Sequence, residues 1–200
     1  YMQANAFVLG LLTNPALVGL FGGAERIIRA GISMLQPLSQ AFFPRVSHSA
    51  VKDLEEAGRL LWLSLVWIGG LSLIMGATSF LAAPILVNIL LGPGYESAVP
   101  ILQALSVLVP IIGVGTVFGI QWALPWGFEL PFSGLVVLAG ALNLVLAFLL
   151  VPRFGGMGMA SSVVTAEALV ACGLVVLFLR KGGSLWPLRI ASTETIHEHS

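Results

Sequence analysis

Long runs in this chain contain no Asp, Glu, Lys or Arg, among them 60–95, 97–128 and 130–152. Each exceeds the ~20 residues that cross a bilayer as a helix. Backbone N–H and C=O groups in hydrocarbon must find partners within the protein, which restricts such runs to helices or closed barrels. Charged residues make up only 9% of the 200, against about a quarter in soluble domains. The composition therefore excludes a water-soluble fold and points to an all-α polytopic membrane protein. Nine basic and nine acidic residues give a net charge of +0, so the balance implies no nucleic-acid partner. The lone Cys172 excludes an internal disulfide and reads as a packed small residue.

Proline and glycine divide the chain. Thr13-Asn14 before Pro15 is an N-cap pair with proline in the first helical turn. Residues 1–13 are thus expected to be the end of a clipped helix, and the missing initiator Met agrees with a fragment. A helix is expected over 15–43, stopping at Pro44, followed by a polar connector from Arg45 to Arg59. Spans are expected at 60–83, 97–120, 130–151 and 156–179. A short interfacial helix after Pro84 and a Gly-Pro-Gly turn separate the first two. Residues 1–181 then form one transmembrane unit, and 182–200 a polar, disordered tail. Arg45, Lys52, Arg59, Arg180, Lys181 and Arg189 share one side, against Arg153 on the other. That asymmetry places the 45–59 loop and the tail in the cytoplasm.

One helix breaks the apolar pattern. Glu25, Arg26 and Arg29 fall ~15–21 Å along it from Pro15, near the bilayer midplane. Each costs roughly 2.5–3.5 kcal/mol there on insertion scales. At ~100° per residue, Glu25, Gln36, Arg29, Gln40, Ser33 and Arg26 all lie within about 100° of arc. Ile27, Ile28, Leu35, Leu38 and Phe42 occupy the other side. Glu25 and Arg29 have the favourable i,i+4 order and can neutralise each other. That pairing leaves Arg26 without a partner in its own helix and does not account for Gln36 and Gln40. The arc reads as the wall of a polar passage. Glu167, near the middle of the last helix, is a second lumen group or a partner for a stripe arginine.

Other polar groups read as structural. Asn143 is expected as an interhelical hydrogen bond, and Glu129 as a carboxylate at a helix start. The Gly19/Gly23 and Gly115/Gly119 pairs allow close helix approach. "GGMG" at 155–158 lacks the strand and the Lys-Ser/Thr of a phosphate loop and is a tight turn. The "HEH" of 197–199 lies in the polar tail, with no further metal ligands and no metal site expected. His48, Asp53, Glu55 and Glu56 read as a solvated loop without a nucleophile.

The ordered set "LGLLTNPALVGLFGGAERIIRAGISMLQPLSQAFFPRVS", "LLGPGYESAVPILQALSVLVP" and "ALNLVLAFLLVPRFGGMGMASSVVTAE" resembles the C-terminal half of polysaccharide and O-antigen flippases. These belong to the multidrug/oligosaccharidyl-lipid/polysaccharide exporter superfamily. The resemblance runs from about Leu9 to Arg180. It implies two six-helix lobes around a central cavity, with this chain as the second lobe, its first helix truncated, and the missing N-terminal lobe as its partner. It also implies a cargo, an oligosaccharide on an isoprenoid pyrophosphate, and the bacterial cytoplasmic membrane as location. Arg26 and Arg29 would counter the pyrophosphate, a task suited to guanidinium donors, while Gln36 and Gln40 would meet sugar hydroxyls. No cofactor is implied; a coupling proton or sodium ion could act through Glu25 or Glu167.

Three other functions bear on the same residues. A drug or organic-cation antiporter of the same fold should favour acidic or aromatic lumen groups. A lipid II flippase carries a similar pyrophosphate head. An enzyme acting on polyprenyl phosphates would need clustered acidic or His residues at the membrane surface, where only His48, Asp53, Glu55 and Glu56 stand. The sequence is therefore read as a transporter and not an enzyme.

Overall fold

The computed structural model describes residues 2–181, and all regular structure among them is helical. The elements are α1 (Met2–Leu12), α2 (Pro15–Ser33), α3 (Gln36–Lys52), α4 (Leu54–Leu81), α5 (Ala83–Leu90), α6 (Glu96–Ala123) and α7 (Glu129–Lys181). The expectations for the 182–200 tail, Arg189 and the His197–His199 triplet fall outside the described residues.

Three of these helices, α4, α6 and α7, are long and apolar enough to cross a membrane. α7 is two helices joined by a sharp turn. Gly155 sits there at φ +54°, a conformation that costs a residue with a Cβ far more than glycine. The two arms, 129–154 and 156–181, run antiparallel. A Cβ on Gly158 would stand 2.5 Å from the carbonyl oxygen of Leu150, and one on Gly173 would stand 2.6 Å from Leu135 Cδ2. The expected division at "GGMG" is what the backbone adopts.

Local chemistry explains the helix ends. Asn14 Oδ1 accepts from the Leu17 N–H at 3.0 Å, with Pro15 in the first turn of α2. Asp53 leaves the helical region (φ −150°) and its Oδ1 accepts from the Glu55 and Glu56 N–H groups at 3.0 and 3.1 Å. Gly92 and Gly94 take positive φ in the turn before α6.

The expected helix over 15–43 is corrected twice. It breaks at Met34-Leu35, where two short i,i+3 bonds tighten the chain ahead of Pro37. It then runs through Pro44 to Lys52, so most of the expected polar connector is helical. A proline inside a helix removes one ladder bond and crowds the preceding turn. Here the buried Val46 and Ser49 on the opposite face hold α3 against its neighbours.

α4 and α6 approach closely because small residues meet between them. A Cβ on Gly76 would lie 2.8 Å from Pro110 Cδ, and one on Gly113 would overlap the Ser72 hydroxyl. Each helix also contains a wide π segment, Leu65–Gly69 and Thr116–Ala123, and Leu65 and Val117 border the same small cleft. Of the glycine pairs singled out in the sequence, Gly23 and Gly119 pack against Leu91 and Phe132, whereas Gly19 and Gly115 face open space.

The interior divides into two apolar clusters. One joins Leu9, Phe21, Ile28, Val87, Leu102 and Met159; the other joins Leu61, Ile68, Phe118, Trp122, Leu174 and Phe178. Large apolar side chains such as Leu73, Ile74, Val137, Leu138 and Leu149 are exposed on the outside, as suits a surface solvated by lipid.

Candidate functional site

α2 sets the site by its two faces. Phe21, Gly23, Ala24 and Ile28 are buried against the bundle, which fixes the rotation of the helix and therefore the direction of its charges. Glu25 lies at the edge of the buried face with its side chain 14% exposed, and Arg29 one turn on at 41%. Arg29 donates to Glu25 Oε1 through both Nη2 and Nε, the latter at 3.2 Å. This i,i+4 pair is the one the spacing predicts.

Glu167, from the second arm of α7, borders the same cleft as Glu25 and Arg29. Its remaining walls are apolar: Ile28, Ile32, Leu105, Leu108, Ile112 and Val163. Leu108 and Glu167 stand near the midpoints of α6 and of the second arm of α7. The charged cluster therefore sits at mid-depth of two membrane-length helices. Space open to a water-sized sphere there is about 20 Å³, room for about one water. No sugar fits in this cleft.

The other candidates point outward. Arg26, Ser33, Gln36 and Gln40 are all exposed. Ser33 donates its hydroxyl proton to the Ala30 carbonyl at 2.7 Å, leaving its oxygen lone pairs available. The six stripe residues and Glu167 thus divide into three at an inner cleft and four on an open face.

Two buried polar features escaped or exceeded the sequence reading. Asn143 Nδ2 donates to Asn5 Oδ1 at 2.7 Å, both residues buried, tying α7 to α1. Asn143 stood out as a lone amide in an apolar run, but its partner did not. Gln121, in the π segment of α6, is fully buried, with neither amide atom hydrogen-bonded among the described residues. Beside it the Trp122 ring stacks on Phe128 and meets Phe178 edge-on, at centroid distances of 5.0 and 5.1 Å. The only hint in sequence was a polar residue inside a charge-free run.

The acidic residues near the end of α3 are occupied in building helices. Asp53 caps α4, and Glu56 Oε2 accepts from the Ser49 hydroxyl at 3.2 Å. Among the described residues no three His, Cys, Asp or Glu side chains converge as metal ligands do.

No protein-family model and no solved structure matches the chain. Two curated proteins do, both carrying the name "Putative O-antigen transporter". That of Escherichia coli (strain K12) is 37% identical over 183 residues, which cover 90% of this chain and 43% of that protein. That of Shigella dysenteriae is 31% identical over 183 residues, 90% of this chain and 44% of its own. The chain is homologous to both, spans less than half of their length, and takes its likeness from transporters by name, not from enzymes.

Proposed function

We propose that this homologue of the O-antigen transporters is one lobe of a flippase that moves an isoprenoid-pyrophosphate-linked oligosaccharide across the bacterial cytoplasmic membrane. The single observation that carries the reading is the exposed polar face of α2 and α3, with Arg26 at the level of the mid-depth cleft. An arginine facing hydrocarbon at that depth is costly, so this face meets water or protein.

The pyrophosphate-sugar head cannot cross lipid cheaply, whereas its isoprenoid tail can stay there. A polar lumen solves the problem for the head. Because the internal cleft admits no more than about a water, the route runs along the outer face of α2 and α3. Its second wall is the first lobe, for which the length of the relatives leaves room. Arg26 presents guanidinium donors to the pyrophosphate, Gln36 and Gln40 offer neutral hydrogen bonds to hydroxyls, and Glu25 holds Arg29 in place. The two lobes rock to alternate access. The end bearing Arg45, Lys52, Arg59, Arg180 and Lys181 faces the cytoplasm.

The test is the double variant Arg26→Gln, Arg29→Gln in the full-length protein. Surface polysaccharide is expected to be lost while membrane abundance stays within about twofold of normal. Surface polysaccharide at the unsubstituted level in that variant would end the reading. Drug sensitivity of a deletion strain with intact surface polysaccharide would instead favour an organic-cation exporter.

A further inference from the structure

We infer that the second half of α3, residues 43–52, beyond the segment of Gln36 and Gln40, is on its outward face a docking surface for anionic phospholipid headgroups at the membrane boundary. α3 has a settled inner face: Val46 and Ser49 are buried. On its outer face Arg45, His48 and Lys52 are exposed at i, i+3 and i+7, which places them in one row along the helix. The adjoining row carries Pro44 and Val51, also exposed, with Phe43 and Ser47 half-buried. Phe43, Pro44, Ser47, His48, Val51 and Lys52 together line one open groove. Val51 is 86% exposed and Leu54, just past the helix, 57%, with none of the described residues covering them.

The groove sits at the level where the membrane-length helices end. Gly58, near the start of α4, and Phe178, near the end of α7, line one cleft, so Arg59, Arg180 and Lys181 lie at the same end of the bundle. α3 contains no carboxylate. Of the three acids that follow, Asp53 is held by two backbone N–H groups and Glu56 by Ser49; Glu55 is exposed. An apolar row beside a basic row, at the end of the membrane-length helices, is the arrangement by which amphipathic helices sink an apolar edge among acyl chains while basic groups meet headgroup phosphates. Charge complementarity selects an anionic headgroup over a zwitterionic one, and the apolar row selects a lipid over a free phosphate.

The experiment attaches an environment-sensitive fluorophore through Val51→Cys in a Cys172→Ser background of the full-length protein. The protein is reconstituted in vesicles of phosphatidylcholine alone or with about one third phosphatidylglycerol, each also carrying shallow doxyl-labelled lipid as quencher. Quenching is expected to be at least twofold stronger in the anionic vesicles. Arg45→Gln, His48→Gln, Lys52→Gln together are expected to abolish that difference. Half-molar NaCl, which requires no folded variant, is expected to shrink it. Equal quenching in both lipids would overturn the proposal. So would a reporter shielded from both, which would mean that another protein segment covers the groove. Inorganic phosphate that reverses the quenching at millimolar concentration would reassign the row to a soluble anion and equally overturn it.

Discussion

Gln121 carries a cost that no neighbour among the described residues offsets. Its amide has two donors and an acceptor, all out of solvent, with no partner among the described residues. Leaving such a group unsatisfied costs about 1–3 kcal/mol, whereas an apolar group of similar shape incurs no such penalty. Gln121→Met is therefore expected to raise the melting temperature of the detergent-solubilised protein by a few degrees. A lowered melting temperature would show that the amide is in use in the folded state. Asn143 is the contrasting case, since its amide meets Asn5 across the bundle. At this scale the sequence was informative where one residue type broke a uniform run, as at Glu25, Arg29 and Asn143. Partners distant in the chain, such as Asn5 for Asn143 and Glu167 for the cleft, carry no local signature. Arg26 and Arg29 differ for a related reason. The sequence shows two arginines on one arc, but only packing of Phe21 and Ile28 decides which of them turns toward the cleft.

At the level of helices, caps and glycine turns were legible because their chemistry is local. Asn14-Pro15 starts α2 and Gly155 ends the first arm of α7, as their residue types require. The break at Met34-Leu35 and the run through Pro44 were not legible. Both depend on α3 being held by neighbours remote in sequence, and tertiary contacts override a proline's local preference. The π segments in α4 and α6 are equally silent, since nothing in "LVWIG" or "TVFGIQWA" departs from ordinary apolar helix. The α7 hairpin gives this scale its prediction. Gly158→Ala would push a methyl to 2.5 Å from the Leu150 carbonyl oxygen, a backbone atom that cannot rotate away. Overpacking of this kind costs about 1–3 kcal/mol. A drop of several degrees in melting temperature is expected, while Gly134→Ala, with open space around it, should be neutral. Equal melting temperatures for the two variants would refute the close packing of the arms.

For the molecule as a whole, Arg26, Gln36 and Gln40 are exposed polar side chains on a bundle whose exterior is otherwise largely apolar. Arg26→Cys, Gln36→Cys and Gln40→Cys, each in the Cys172→Ser background, are expected to react with a membrane-impermeant maleimide in the assembled full-length protein. Leu138→Cys and Leu149→Cys, on exposed apolar surface, should stay unlabelled. Inaccessibility at all three polar positions would remove the hydrophilic route from the account. The sequence announced a membrane protein through its charge-free runs, but not how its helices face one another. The fold-back at Gly155 has a consequence for parity. A straight helix of 53 residues would be about 80 Å long at 1.5 Å per residue, more than twice the ~30 Å of hydrocarbon. Doubled over, it has the length for two crossings in place of one, which with α4 and α6 makes an even number of membrane-length segments between residues 54 and 181. One backbone torsion thus returns Lys181 to the end of the bundle at which α4 begins.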